Sequence, residues 1–130
     1  MLDGDTLVVA GKRVRLFGID APELDQLCVR DGRTWPCGRE AKDALQAIVQ
    51  RDRVDCHVQE ITDRYGRVIS HCKVGGEDIA AAMVSRGMAT AYRRYSDQYV
   101  GQEKAARREH HGLWAGRFER PEEWRRRGRH

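Results

Sequence analysis

The chain is 130 residues long, with 40% apolar and 34% charged residues and a formal net charge of +4. That length holds one domain with a single core and does not depend on a metal or disulfide to fold. No apolar stretch nears the roughly 20 residues that cross a bilayer, which excludes a transmembrane helix and leaves no membrane partner expected. Twenty of the 24 basic residues are arginine, the lysines being Lys12, Lys42, Lys73 and Lys104. A planar guanidinium grips phosphate or carboxylate at two points, so the bias permits a nucleic-acid partner. A GC-rich genome accounts for it equally well.

Residues 5–17 alternate around Ala10-Gly11-Lys12 and are predicted to form a β-hairpin. Gly18 to Glu23 ends the second strand, because Pro22 has no backbone donor and holds Ala21 extended. Leu24 to Gly38 has no period and is read as a loop of about fifteen residues, long enough to need a pin. Between Arg39 and Val49, Ala41, Ala44, Leu45, Ile48 and Val49 make one apolar helical face. Residues 53–61 and 68–74 read as two strands, and Ile79, Ala80, Met83 and Val84 as a second helix stopped by Gly87. A third helix is expected from Ser96, as N-cap, to Gly112. Residues 1–115 are taken as the domain and residues 116–130 as a basic tail that packs on it or trails from it. A β-rich front followed by helices makes this an α+β domain on a small barrel. An OB-type barrel fits, although periodicity does not single it out.

Cys28, Cys37, Cys56 and Cys72 include no CxxC, which argues against a zinc knuckle. Of three possible pairings, Cys28–Cys37 with Cys56–Cys72 is the simplest. It implies an oxidising compartment, so a periplasmic or secreted protein is expected, although no signal peptide precedes residue 3.

Two sets of residues point to chemistry. Asp3 and Asp5 lie at one end of the predicted hairpin, and Asp20 and Glu23 follow its other end, so the four carboxylates converge. Clustered carboxylates repel unless a cation or a proton relieves them, and an all-oxygen set suits a hard ion such as Ca²⁺. Read singly, Asp3-Gly4-Asp5 and Asp20-Ala21-Pro22 are ordinary turn and loop residues. Arg15, among apolar strand residues, needs a partner, and Arg67 follows the tight Tyr65-Gly66 turn. Two arginines beside such an edge would clamp a phosphodiester and offset charge in a pentacoordinate transition state. Singly, Arg15 could pair with a structural Asp and Arg67 could be solvated. Tyr92, Tyr95 and Tyr99 serve either packing or base stacking.

Asp3-Gly4-Asp5-Thr6, Arg15-Leu16-Phe17-Gly18-Ile19-Asp20-Ala21-Pro22-Glu23, Asp63-Arg64-Tyr65-Gly66-Arg67 and Gly112-Leu113-Trp114 resemble, in order and spacing, the staphylococcal nuclease (thermonuclease) family. The resemblance implies an OB-type five-stranded β-barrel with three α-helices, and Ca²⁺-dependent cleavage of DNA and RNA that leaves 3′-phosphates. It makes Asp5, Asp20 and the backbone carbonyl of Ala21 the Ca²⁺ ligands, with Asp3 supporting the metal site. Glu23 matches the general base, and Arg15 and Arg67 match the arginines that stabilise the transition state. Arg64, Tyr65, Tyr92 and Tyr95 stand near the substrate-binding positions. The family's first strand is reduced here to Met1 and Leu2, so it is either truncated or supplied by another protomer, which would make a homo-oligomer. The alternative is a catalytically weak barrel that binds nucleic acid or protein. The presence of Asp5, Arg15, Asp20, Glu23 and Arg67 together favours the enzyme.

Overall fold

The computed structural model describes residues 3–60, 63, 65–94 and 96–128, Glu60 by its backbone alone. The predicted hairpin is formed by β1 (Thr6–Val9) and β2 (Lys12–Leu16), antiparallel, with Thr6 opposite Arg15. Its alternation turns Leu7, Val14 and Leu16 into the core. β3 (Ile19–Asp20) follows, and then a segment that departs from expectation. Residues 24–38 are not a plain loop but carry β4 (Cys28–Arg30) and β5 (Arg33–Trp35), paired antiparallel. Asp31 (φ 55°) and Gly32 (φ 73°) form the two-residue turn between them, the positive-φ pair that matches strand twist. The Cys28–Cys37 disulfide ties this hairpin to α1 (Cys37–Val49).

Helix α1 buries Ala41, Leu45 and Ile48, the face its periodicity predicts. β6 (Val54–Glu60) and β7 (Val68–Val74) pair antiparallel, and their register sets Cys56 opposite Cys72, which are bonded. Both disulfides thus follow the simplest pairing. β8 (Glu77–Asp78) leads into α2 (Ile79–Ser85), whose first turn is capped by the Asp78 carboxylate accepting from the Ala81 N–H. β9 (Thr90–Ala91) pairs with β3.

The third helix is shorter than predicted. Helix α3 spans Val100–Arg108, and a 3₁₀ turn follows at Gly112–Ala115. The Ser96 hydroxyl accepts instead from the Gln98 N–H, a local turn that competes with helix initiation. The supposed tail contains a fourth helix, α4 (Pro121–Arg127), with Pro121 in its first turn.

The fold is α+β. Five strands form one sheet in the order β1-β2-β7-β6, with β8 on β7 and with β2 and β7 parallel. Among the described residues β1 and β6 are not hydrogen-bonded to one another, so strand pairing leaves the sheet open where a barrel would close. The main core lies between this sheet, α1 and α2. A second cluster of Cys28, Trp35, Cys37 and Leu113, joined by Phe118, fixes the disulfide hairpin to the C-terminal segment. No helix among the described residues is long and apolar enough to cross a membrane.

Candidate active site

A cleft of about 1010 Å³ opens at one end of the sheet, lined by Asp3, Asp5, Arg15, Glu23, Arg67 and Arg125 among others. The turn before β1 carries Asp3 and Asp5. Between them Gly4 packs so closely that a Cβ there would lie 2.7 Å from the Ala41 Cβ and 2.8 Å from the Ala21 Cβ. This close approach seats the acidic turn on α1 and on the Asp20 segment.

Asp5 is buried. Its Oδ2 accepts the Ala21 N–H at 2.8 Å and lies 3.1 Å from Arg15 Nη1. Burial works against its charge, but Arg15, Asp3 and the Ala21 N–H outweigh it and hold the carboxyl below the ordinary range. Asp3 accepts the Asp5 N–H at 3.0 Å. Burial, and then the Asp5 charge, push it up to about 7. Asp20 is wholly buried on β3, 3.4 Å from Arg15 Nη2. Burial pushes its carboxyl up to about 7, with the hydrogen bonds from Arg125 pulling the other way.

Arg15, at the centre of this cluster, is 8% exposed and also donates to the Leu16 carbonyl at 3.1 Å. Opposing carboxylates, against burial, raise its pKa further, so it stays charged. Arg67 enters from the turn before β7. Its Nε and Nη2 lie 2.9 and 2.8 Å from Asp63 Oδ2, and its Nη1 donates to the Thr6 hydroxyl at 3.2 Å. Asp63 also accepts the Tyr65 and Arg67 backbone N–H groups, each at 2.9 Å. Modest burial favours its neutral form, but these donors prevail and hold its carboxyl below the usual range. Tyr65, 47% exposed, lies under the Arg67 guanidinium at 5.3 Å. Arg13 donates to the Tyr65 carbonyl. Tyr92 lines the same cleft, its N–H bonded to the Gly18 carbonyl at 2.8 Å.

Glu23 is positioned by its backbone. A Cβ on Gly38, in the first turn of α1, would lie 1.8 Å from the Glu23 carbonyl oxygen, so only glycine fits there. The Glu23 N–H donates to Gln26 Oε1 at 3.2 Å. Gln26 is wholly buried and its Nε2 reaches the Glu119 carbonyl at 2.8 Å, linking the Glu23 segment to the C-terminal one.

The cleft thus brings together Asp3, Asp5, Arg15, Glu23, Arg67, Tyr65 and Tyr92 of the predicted residues, with Asp20 buried behind them. Arg64 and Tyr95 lie outside the described residues. Ala21 is present through its N–H to Asp5 and is buried. Cys28, Cys37, Cys56 and Cys72 are disulfide-bonded and lie outside the lining of the cleft.

Three residues of the site have roles that the sequence did not assign. Asp63 was legible as an acceptor at the head of a tight turn, a pattern that commonly binds its own backbone two residues on. Gln26 gave no signal. Arg125, on α4, is the most consequential. Its Nη1 donates to Asp20 Oδ1 at 2.9 Å and to Glu23 Oε1 at 2.8 Å, and its Nη2 to Asp20 Oδ2 at 3.1 Å.

Among the described residues no three His, Cys, Asp or Glu side chains are arranged as a ready metal-holding group. The donor chemistry nonetheless fits a hard cation. Asp5 and Asp20 flank one guanidinium, and a single nitrogen of Arg125 bridges Asp20 and Glu23, so positive charge is already drawn between oxygen donors.

A buried carboxylate cluster, Arg15 on β2 and Arg67 from the turn before β7 thus gather at one end of an open five-stranded sheet on an OB-like domain. The chain belongs to the family of staphylococcal nuclease homologues, whose profile matches residues 13–116. It is 37% identical over 144 aligned residues to micrococcal nuclease of Shigella flexneri, covering 97% of this chain and 77% of that protein. It is 33% identical over 119 residues to the succinoglycan biosynthesis protein ExoI of Rhizobium meliloti strain 1021, covering 88% of this chain and 61% of that one. It is 35% identical over 126 residues to the probable staphylococcal-like nuclease CAN1 of Oryza sativa subsp. japonica, covering 95% of this chain but 35% of the relative.

Proposed function

We propose that this chain is a Ca²⁺-dependent nuclease that hydrolyses phosphodiester bonds of DNA and RNA with little sequence preference and leaves 3′-phosphates. The observation that carries the reading is the meeting in one cleft of Arg15, Arg67 and Glu23 with the Asp5 and Asp20 carboxylates. Family membership and the name of the Shigella flexneri relative support it further.

In this mechanism Asp5, Asp20 and the Ala21 carbonyl would hold Ca²⁺, and Asp3 would support that site by fixing the Asp5 backbone. The cation's contribution there is Lewis-acid polarisation of the phosphate and orientation of water. Glu23 takes the proton of the attacking water as its oxygen closes on phosphorus. Arg15 and Arg67 donate to the equatorial phosphate oxygens, where charge builds in the transition state, and being held before substrate arrives they need little reorganisation. In this proposal Tyr65 contacts a substrate phosphate, Arg64 serves near the nucleotide, and Tyr92 and Tyr95 serve the base side. The phosphates supply most of the affinity, without reading sequence.

Residues 1–115 carry this activity in the proposal, and Glu122, Arg125 and Arg126 of the segment that follows line the cleft. The two disulfides support export to the periplasm or medium. A second protomer would add at β1 or β6, strands that expose Val8 and Val58. The rival reading, a barrel that binds without cutting, draws support from Arg125, which neutralises Glu23 and Asp20 at once. Incubating the chain with single-stranded DNA and RNA, in Ca²⁺ or in EGTA, separates the two. The nuclease reading expects Ca²⁺-dependent fragments ending in 3′-phosphate, whereas salt-sensitive binding without fragments supports the rival.

A further inference from the structure

Arg125 belongs to none of the motifs that define the site, yet among the described residues it makes three hydrogen bonds to the acidic groups there. Its guanidinium holds Asp20 by both nitrogens, at 2.9 and 3.1 Å, and Glu23 at 2.8 Å. Asp20 is wholly buried and does not line the cleft, whereas Arg125 does. Nothing entering from solvent on that side reaches the Asp20 oxygens while the two Arg125 bonds are made.

The helix that carries Arg125 is delivered there by a built path. Val29 and Arg117 exchange backbone hydrogen bonds, both at 2.8 Å. Gln26 holds the Glu119 carbonyl at 2.8 Å, and Arg120 lies 3.5 Å from the buried Glu103. Helix α4 itself is anchored less firmly: Pro121 is its one buried residue, and Arg125 remains 26% exposed. The path is therefore fixed up to residue 120, while the side chain at its end faces both the acids and open solvent.

We propose that Arg125 is an internal counter-ion of the carboxylate site, a latch that a divalent cation must displace before the site is complete. The proposal rests on the reading of Asp5 and Asp20 as cation ligands. Arg125 and the cation compete for the same Asp20 oxygens, and the bond from Arg125 to Glu23 also ties up the carboxylate that must receive a proton. Apparent cation affinity is the intrinsic affinity reduced by the fraction of molecules with the latch open. Three charge-assisted hydrogen bonds at a half-buried position set that fraction at about one in ten to one in a hundred. Once released, Arg125 stands at the cleft mouth beside Arg126, where its charge favours an incoming polyanion.

The test is Ca²⁺ affinity by titration calorimetry on the full chain, without nucleic acid. Arg125→Gln, which keeps helix propensity but shortens the side chain and removes the charge, is expected to bind Ca²⁺ about 10- to 100-fold more tightly than wild type. Arg125→Lys, with a point charge in place of the fork, falls between them. Arg127→Ala, which removes an exposed arginine paired with Glu119, binds as wild type does. Equal or weaker Ca²⁺ affinity in Arg125→Gln overturns the latch while leaving the metal reading intact. Absence of Ca²⁺ binding in both proteins overturns the metal reading, and the latch with it.

Discussion

Replacing Asp63 by Ala removes no group from the proposed reaction, yet it is expected to slow turnover, and to do so through Arg67. Asp63 holds the Arg67 side chain by two contacts, at 2.9 and 2.8 Å, with both groups about one-fifth exposed. Partly screened charged contacts of this kind contribute about 0.5–1 kcal/mol each. Their loss frees Arg67 by about 1–2 kcal/mol, or roughly tenfold in the population of the productive pose. The Arg67 contact with Thr6 survives, which keeps the loss from being complete. Arg67→Ala, which deletes the transition-state donor itself, is expected to cost about 10²-fold in turnover. The informative protein is the double variant. If Asp63 acts by orienting Arg67, Asp63→Ala adds nothing once Arg67 is gone, and Asp63→Ala/Arg67→Ala is as slow as Arg67→Ala alone. Steady-state hydrolysis of single-stranded DNA, measured well below each variant's melting temperature, gives the three ratios. Losses that multiply to about 10³-fold in the double variant would refute the positioning role.

Gly38→Ala is expected to lower both turnover and stability, because its Cβ would meet the Glu23 carbonyl at 1.8 Å and the chain must move aside. Backbone displacement of this kind costs about 1–3 kcal/mol, and an unchanged denaturation midpoint would contradict the packing described. Stability should also fall as pH rises. Asp3 and Asp20 lose their protons near 3.8 when unfolded but near 7 when folded, so between those values the native state binds more protons than the unfolded one. Their contribution is present below the lower value and is lost as pH passes the upper one. Thermal unfolding from about pH 5 to about pH 8 should show that decline, flattened in Asp3→Asn; a wild-type melting temperature that rises over the interval would argue against it.

What could be read from the chain alone was local. Alternation in residues 5–17 placed the hairpin, and the simplest pairing of the four cysteines anticipated a Cys56–Cys72 bond between strands that their register allows. Asp5 and Asp20 were legible as partners because one hairpin carries the chain from the first to the second. The misread parts are those in which a local signal was outvoted or absent. Asp31-Gly32 carried a hairpin-turn signal, but the strands on either side have only three residues each, too short to show a period. Ser96 is a good N-cap residue that spends its hydroxyl on a turn instead. Arg125 is 105 residues from Asp20, and nothing in the run Arg125-Arg126-Arg127 says which of the three reaches the carboxylates. That choice is made by Gln26, Val29 and Glu103, which fix the approach of the C-terminal segment, so it exists only in the folded chain.

In the proposed function Glu23 works as a base beside a Ca²⁺ site made by Asp5 and Asp20. Its most direct test is one paired measurement on Glu23→Gln: turnover of single-stranded DNA in saturating Ca²⁺, and Ca²⁺ affinity of the same preparation. Turnover is expected to fall by about 10²-fold or more with Ca²⁺ binding retained. Turnover near wild type in a variant that still binds Ca²⁺ would contradict it.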